Sequence, residues 1–231
     1  MEQLNNKVVL ITGFKGGLGT FVTRAFLEAG ARVVGVSRTT EGSDPHRERF
    51  SAIAADLLIG ENARGLIEAV AAQWGRIDGL VHLIGGFAGG ESIAETDDAT
   101  LDRMLDLNLR SAFRVIRAVL PKMREQNFGR IIAIGSKAAL EPSPLAGAYA
   151  ASKAALVSLI RTAARENRDK HIAANVLLPG TMDTPANRAA MPDADFSEWV
   201  DPCQVARLAV HLMSDAASQI SGTAIAVDGG A

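Results

Sequence analysis

Tyr149 and Lys153 lie four residues apart, a spacing that sets a phenol and an ammonium on one face of a helix. A free phenol titrates at about 10, too high to exchange protons readily at neutral pH, and a cation a few ångströms away favours the phenolate and lowers that value. Such a phenol can act as general acid in one direction of a reaction and general base in the other. Ser136 stands 13 residues before Tyr149, just beyond the β-rich run Ile131–Ile134. A strand end and the helix after it can bring both hydroxyls to one oxygen. There they would stabilise the negative charge that develops as a carbonyl accepts hydride.

A second group of residues has the composition of an anion cradle. Thr12-Gly13-Phe14-Lys15-Gly16-Gly17-Leu18-Gly19 follows the apolar run Val8–Ile11. It opens a segment whose Leu18, Phe21, Val22, Ala25 and Ala29 share one helix face, with Gly30 as the stop. Glycines let backbone approach a pyrophosphate, and the helix N-terminus offers oriented N–H groups and positive dipole. Thr12, Gly13, Gly17, Leu18 and Gly19 are therefore candidate dinucleotide-binding residues. At the end of the next run, Val33–Val36, an acid would bond both ribose hydroxyls and repel a 2′-phosphate, whereas this chain has Ser37-Arg38. Arg38 offers a planar fork to a phosphate, and Lys15 can reach the same oxygens. NADP(H) is the preferred cofactor on this reading, with NAD(H) as the alternative.

The turn TGFKGGLG resembles the TGxxxGxG turn of the short-chain dehydrogenase/reductase family, and the similarity runs the length of the chain. The resemblance assigns Asp56, with Leu57 beside it, to the adenine end of the cofactor. It places Pro179-Gly180 and Thr184 near the nicotinamide carboxamide, and Gly85 along the cofactor wall. Lys15 stands one position before the family's usual basic residue. Lys153 gains a second role on the nicotinamide ribose. Asn108, in Leu107-Asn108-Leu109, matches a helix asparagine that holds a water in a proton relay to the lysine. Catalytic roles thus fall on Asn108, Ser136, Tyr149 and Lys153. A homodimer or homotetramer is implied as well, through helices of the Arg110–Arg124 part of the chain.

One departure stands out. Where the family commonly shows NNAG, this chain has His82-Leu83-Ile84-Gly85, so the wall is rebuilt and His82 is expected to be a packed residue. The flexible Gly85–Gly90 loop that follows removes bulk beside the nicotinamide. GGFAGG, Ser136-Lys137-Ala138-Ala139-Leu140 and the stretch from Asp183 to Trp199 are similar to segments of the dihydropteridine reductases. That resemblance implies a flat heterocycle between Phe87 and Trp199. Ser136 and Ser37 run against it, because those enzymes lack the serine and carry an acid at the second position. Reduction of a small-molecule carbonyl with NADPH is the leading expectation. Quinonoid dihydropteridine reduction and a non-catalytic NADP(H)-sensing regulator are the alternatives.

The elements that must position these residues alternate. Short apolar runs at Val8–Ile11, Val33–Val36, Ser51–Ala54, Leu80–Ile84, Ile131–Ile134, Asn175–Leu178 and Ala224–Val227 are separated by segments of helical period. Runs apolar on both faces imply a parallel sheet covered on both sides. The expectation is an α/β fold: a single Rossmann-type doubly wound domain over residues 1–231, with about seven parallel strands. Asp97 to Gln126 reads as one long helix that Pro121 kinks or shortens, and Ala150 to Arg168 as another. Asp201-Pro202 reads as a cap and first helical residue. The stretch 180–199 shows no clean period and is expected to be a mobile insertion beside the site.

Composition excludes several classes. The 231 residues are 48% hydrophobic and 22% charged, as in ordinary globular chains. With 24 Lys and Arg against 26 Asp and Glu, no long-range field draws the protein to nucleic acid or anionic lipid. No apolar run reaches the roughly 20 residues of a membrane span, and the N-terminus has no signal-peptide core. A cytoplasmic protein is expected, and the single cysteine, Cys203, excludes an internal disulfide. Cys203 sits near a helix N-terminus, which favours a thiolate, but no partner histidine stands at a recognisable spacing. His46, His82, His171 and His211 show no metal-ligand spacing, so no metal is expected. Epimerases with retained nicotinamide carry a C-terminal substrate domain for which the stretch after Pro202 is too short.

Overall fold

The computed structural model of the protein describes residues 4–41 and 48–230, so His46 lies outside the described residues. Seven strands form one sheet: β1 (Val8–Thr12), β2 (Arg32–Ser37), β3 (Phe50–Ala54), β4 (Gly79–His82), β5 (Gly129–Ile134), β6 (Ile172–Pro179) and β7 (Ala224–Val227). Their order is β3-β2-β1-β4-β5-β6-β7, and every neighbouring pair is parallel. Because strand side chains alternate between faces, β1 feeds two cores. Val8 and Leu10 join one, and Val9 and Ile11 the other.

Helices cover both cores. On one face lie α2 (Gly60–Trp74), α4 (Ser111–Gln126) and α5 (Gly147–Glu166), contributing Leu66, Val115, Val119, Leu156 and Ile160. On the other lie α1 (Gly19–Glu28) and α7 (Pro202–Met213), contributing Val22, Phe26, Val205 and Ala209. The two shorter helices are α3 (Asp98–Leu105) and α6 (Pro185–Ala190). The strand order reverses at β1, which has β2 on one side and β4 on the other. In such sheets the crevice at the carboxyl ends beside that reversal receives ligands.

Several expected boundaries move, each for a tertiary reason. The fourth strand ends at His82 rather than Ile84, because the Asn108 side chain takes both the N–H and the carbonyl of Gly86 and draws the chain away from the ladder. The expected helix 97–126 is two helices joined by a π turn over Asp106–Arg110. Pro121 neither ends nor shortens α4, since its ring faces solvent and Leu120 and Met123 anchor the last turns in the core. The helix stops at Asn127, in the left-handed region at φ 52°. Helix α5 begins three residues earlier than expected, at Gly147. Asp201 caps α7 as expected, accepting the Cys203 N–H at 2.8 Å, with Pro202 at the first helical position. Within 180–199 the chain forms α6, capped by Thr184, a 3-10 turn over Phe196–Glu198 and a bridge between Met182 and Val200.

Candidate active site

Strand β5 ends at Ile134, and two residues later Ser136 accepts the Ala138 N–H at 3.2 Å to open a short 3-10 turn. Helix α5 then returns along the same edge, so Tyr149 in its first turn comes beside Ser136, whose hydroxyl is near enough to act on the phenol's titration. One turn on, Lys153 is buried, and its Nζ donates to the Ile134 carbonyl at 2.9 Å. Desolvation pulls its pKa down to about 8. The ammonium lies 5.9 Å from the centre of the Tyr149 ring.

The expected lowering of the phenol pKa is corrected here. Burial holds the Tyr149 phenol above its ordinary value, and the neighbouring Ser136 hydroxyl opposes that only in part. Burial disfavours the phenolate, while the Lys153 ammonium bonds the Ile134 carbonyl instead. A phenol in that state is protonated at neutral pH and equipped to donate.

Asn108 is fully buried in the π turn, where the extra residue turns its side chain toward α5. Its amide donates to the Gly86 carbonyl and to Ser152 Oγ, both at 3.0 Å, and its carbonyl accepts the Gly86 N–H at 2.9 Å. Ser152 in turn donates to the Tyr149 carbonyl at 2.7 Å. Gly85 completes the cluster. A Cβ there would lie 2.8 Å from Asn108 Oδ1 and 3.1 Å from Lys153 Nζ.

The glycine-rich turn fits a pyrophosphate. Gly13 has φ +74°, and a side chain at Gly19 would run into the Gly13 carbonyl. Helix α1 starts without a side-chain cap and without an acid in its first turn, so its N–H groups and dipole face the turn. Gly17 faces Thr184, whose methyl would stand 3.3 Å from a Cβ at that glycine. The turn and the Pro179–Thr184 segment therefore flank one crevice. At the end of β2, Ser37 Oγ donates to the Thr39 carbonyl at 2.7 Å and Arg38 is exposed. Lys15 Nζ donates to the Glu41 carbonyl at 2.6 Å, in the same corner. Asp56, just past β3, accepts the Leu58 N–H at 2.9 Å, and Leu57 is buried in the core, which leaves only its backbone for a ligand. Leu18 is likewise a core residue.

Thr12 faces inward rather than toward the crevice, and the reason is His82. Thr12 Oγ1 lies 2.9 Å from His82 Nδ1, and His82 Nε2 lies 3.2 Å from Ser111 Oγ. Ser111 donates to the Leu107 carbonyl at 2.7 Å, and Thr12 Oγ1 accepts the Leu83 N–H at 3.3 Å. The Ser111 proton is committed to Leu107, so His82 donates to Ser111 from Nε2, and a ring kept neutral by burial then accepts from Thr12 at Nδ1. Desolvation, with the Lys153 charge second, pushes its pKa down to about 3. His82 is thus a bonded link between β1 and the start of α4, more than the packed residue expected.

Two site contacts had no signal in the sequence, Ser111 below the π turn and Ser152 beside Lys153, while Phe87, expected as an apolar wall, has its ring centre 5.0 Å from that of Tyr149 at 74°. Cys203 also departs from expectation, since burial and the neighbouring Asp201 raise its thiol pKa. Among the described residues no three His, Cys, Asp or Glu side chains gather as a metal site, and no helix is long and apolar enough to cross a membrane.

Comparison with known proteins identifies the family. The family model described as enoyl-(acyl carrier protein) reductase matches residues 13–231. An uncharacterized oxidoreductase of Bacillus subtilis, YvrD, is 35% identical over 99% of this chain and 97% of its own. The 2-dehydro-3-deoxy-D-gluconate 5-dehydrogenase of Pseudoalteromonas atlantica is 32% identical over 99% and 96%. The solved structure of ElxO with NADP bound superposes with a TM-score of 0.92 at 27% identity, over 97% of this chain and 98% of that one. The protein is an NAD(P)-dependent oxidoreductase with a Rossmann-like fold. More narrowly, it belongs to the short-chain dehydrogenase/reductase family, whose members act on small-molecule substrates.

Proposed function

We propose that the protein reduces the carbonyl of a small molecule to an alcohol and prefers NADPH. The juxtaposition of the Ser136 and Tyr149 hydroxyls, set one turn from the buried Lys153, carries this reading. Bound reduced nicotinamide supplies the hydride. Tyr149 gives its proton to the carbonyl oxygen, and Ser136 donates a second hydrogen bond to the charge that grows there. The raised phenol pKa supports the reductive direction, because the donor enters the reaction protonated. Lys153 keeps a positive charge below the phenol and bonds the end of β5. Gly13, Gly17, Gly19 and Gly85 leave room for the cofactor, with Asp56, Pro179, Gly180 and Thr184 along its length. Arg38 and Lys15, with no acid at the end of β2, support recognition of a 2′-phosphate.

The edge-on packing of Phe87 against Tyr149 favours one second reading, reduction of a flat quinonoid dihydropterin. Ser136 weighs against it, since a hydroxyl aimed at a carbonyl oxygen has no evident task on that ring. A panel of activated ketones, diketones and quinonoid dihydropterin with NADPH separates the two. On the carbonyl reading, Tyr149→Phe keeps NADPH binding and lowers turnover by about two orders of magnitude or more. Ser136→Ala lowers it by about tenfold or more. Near-normal turnover in Tyr149→Phe refutes the proposal, and dihydropterin turnover above every ketone, indifferent to Ser136→Ala, moves the assignment. The protein is further proposed to form a homodimer or homotetramer through α4 and α5, where Phe113 is half exposed.

A further inference from the structure

We infer that the carbonyl reduced at this site belongs to an uncharged molecule with apolar groups flanking the C=O, such as an aryl ketone or keto ester, and that Phe87 selects it. The inference rests on the reading that Tyr149 protonates a carbonyl oxygen. Phe87 touches the phenol, yet 67% of its surface is exposed. Gly89 permits this placement, because a Cβ there would lie 2.8 Å from the tip of the Phe87 ring. Two more exposed apolar side chains gather at the start of α5. Leu145 is 52% exposed and its carbonyl accepts the Gly90 N–H at 2.8 Å, while Ile93 is 83% exposed and packs against Gly147. The apolar surface that Phe87 holds open against the proton donor becomes favourable to bury when an apolar substituent arrives.

The charged groups nearby point the same way. Lys137, next to Ser136, is already paired with Asp228 at 2.6 Å and Glu141 at 3.9 Å. Arg188 holds Asp183 through two bonds, at 2.5 and 2.8 Å, and stacks over the Phe196 ring. Lys153 is buried on the Ile134 carbonyl. Arg103 lines a cleft of about 330 Å³ with Glu91, Thr96 and Leu145, which does not include Ser136 or Tyr149. A carboxylate or phosphate beside the reacting carbonyl would lose its water against Phe87, and the cations Lys137 and Arg188 are already held by acids.

A matched pair tests this in the intact enzyme with NADPH: ethyl benzoylformate, a neutral keto ester, against benzoylformate, its anion. We expect kcat/KM for the ester to exceed that for the anion by about tenfold or more, as an apolar pocket discriminates. Phe87→Ala should lower the ester's value by about fivefold, chiefly through KM, and leave the anion's within about twofold. Calorimetry gives a readout free of turnover, in which the alcohol product ethyl mandelate binds at least about tenfold tighter than mandelate. Equal or better use of the anion, or equal binding of the two alcohols, overturns the inference while the reductase reading stands. Failure of every carbonyl to oxidise NADPH overturns that reading instead, and the calorimetric comparison still decides whether the pocket selects apolar ligands.

Discussion

Replacing His82 by asparagine should flatten the acid side of the stability curve. In the folded protein the imidazole is held neutral, with a pKa pushed down to about 3 by burial, against 6.5 for the free side chain. The unfolded chain therefore binds a proton that the folded chain refuses between those two values. Stability from this group is complete above the unfolded pKa and is lost as pH falls toward the folded one. One pKa unit corresponds to about 1.4 kcal/mol, so moving from about pH 8 to pH 5 removes about 2 kcal/mol through His82 alone. For a chain of this length that is about 4–8 °C in Tm. Asparagine cannot titrate, and the histidines common to both proteins cancel in the comparison. The variant also loses stability at about pH 8, by about 1–3 kcal/mol, because its shorter carboxamide cannot serve Thr12 and Ser111 together. Urea titrations at several pH values measure both effects. The wild type should lose about 2 kcal/mol more than His82→Asn between about pH 8 and pH 5, and parallel curves would refute the assigned neutral imidazole.

Two further outcomes follow from the site. Arg38→Asp should reverse the cofactor preference from NADPH to NADH, read as the ratio of kcat/KM values, because a carboxylate at that corner repels a 2′-phosphate and accepts from ribose hydroxyls; equal or better use of NADH by the wild type sinks the premise. Carbonyl reduction should hold level at neutral pH and decline above about 8, where Lys153 loses its proton, and a rate that stays level well into the alkaline range would remove the ammonium from the mechanism.

Much of this was legible in the chain because the signals are local. Val8–Val9-Leu10-Ile11 is apolar on both faces, so a central parallel strand is the only comfortable place for it, and the glycine turn after it needs no distant partner to be recognised. Tyr149 and Lys153 share a helix face by spacing alone, and Ser136 follows its strand at once. What could not be read depends on partners far apart in sequence. The π turn over Asp106–Arg110 sits under Asn108, whose bonds reach Gly86, 22 residues back, and Ser152, 44 residues on. The His82 link joins residues separated by 70 and by 29 positions. Spacing also placed the ammonium near the phenol without revealing how deeply both are buried, and burial is what sets the sign of the Tyr149 shift.

The strand order has a consequence for how the protein is made. During synthesis β2 and β3 can pair beside β1 as soon as residue 54 has emerged, but the other side of β1 waits for β4, which is complete only at residue 82. Until then a nascent chain presents an open parallel edge of five buried-type residues, Val8 to Thr12, with half of the nucleotide crevice already shaped beside it. Such an edge invites pairing with a neighbouring chain. The interval between those two strands on the ribosome exposes this fold to aggregation, and a slow stretch of translation placed there would lengthen the hazard.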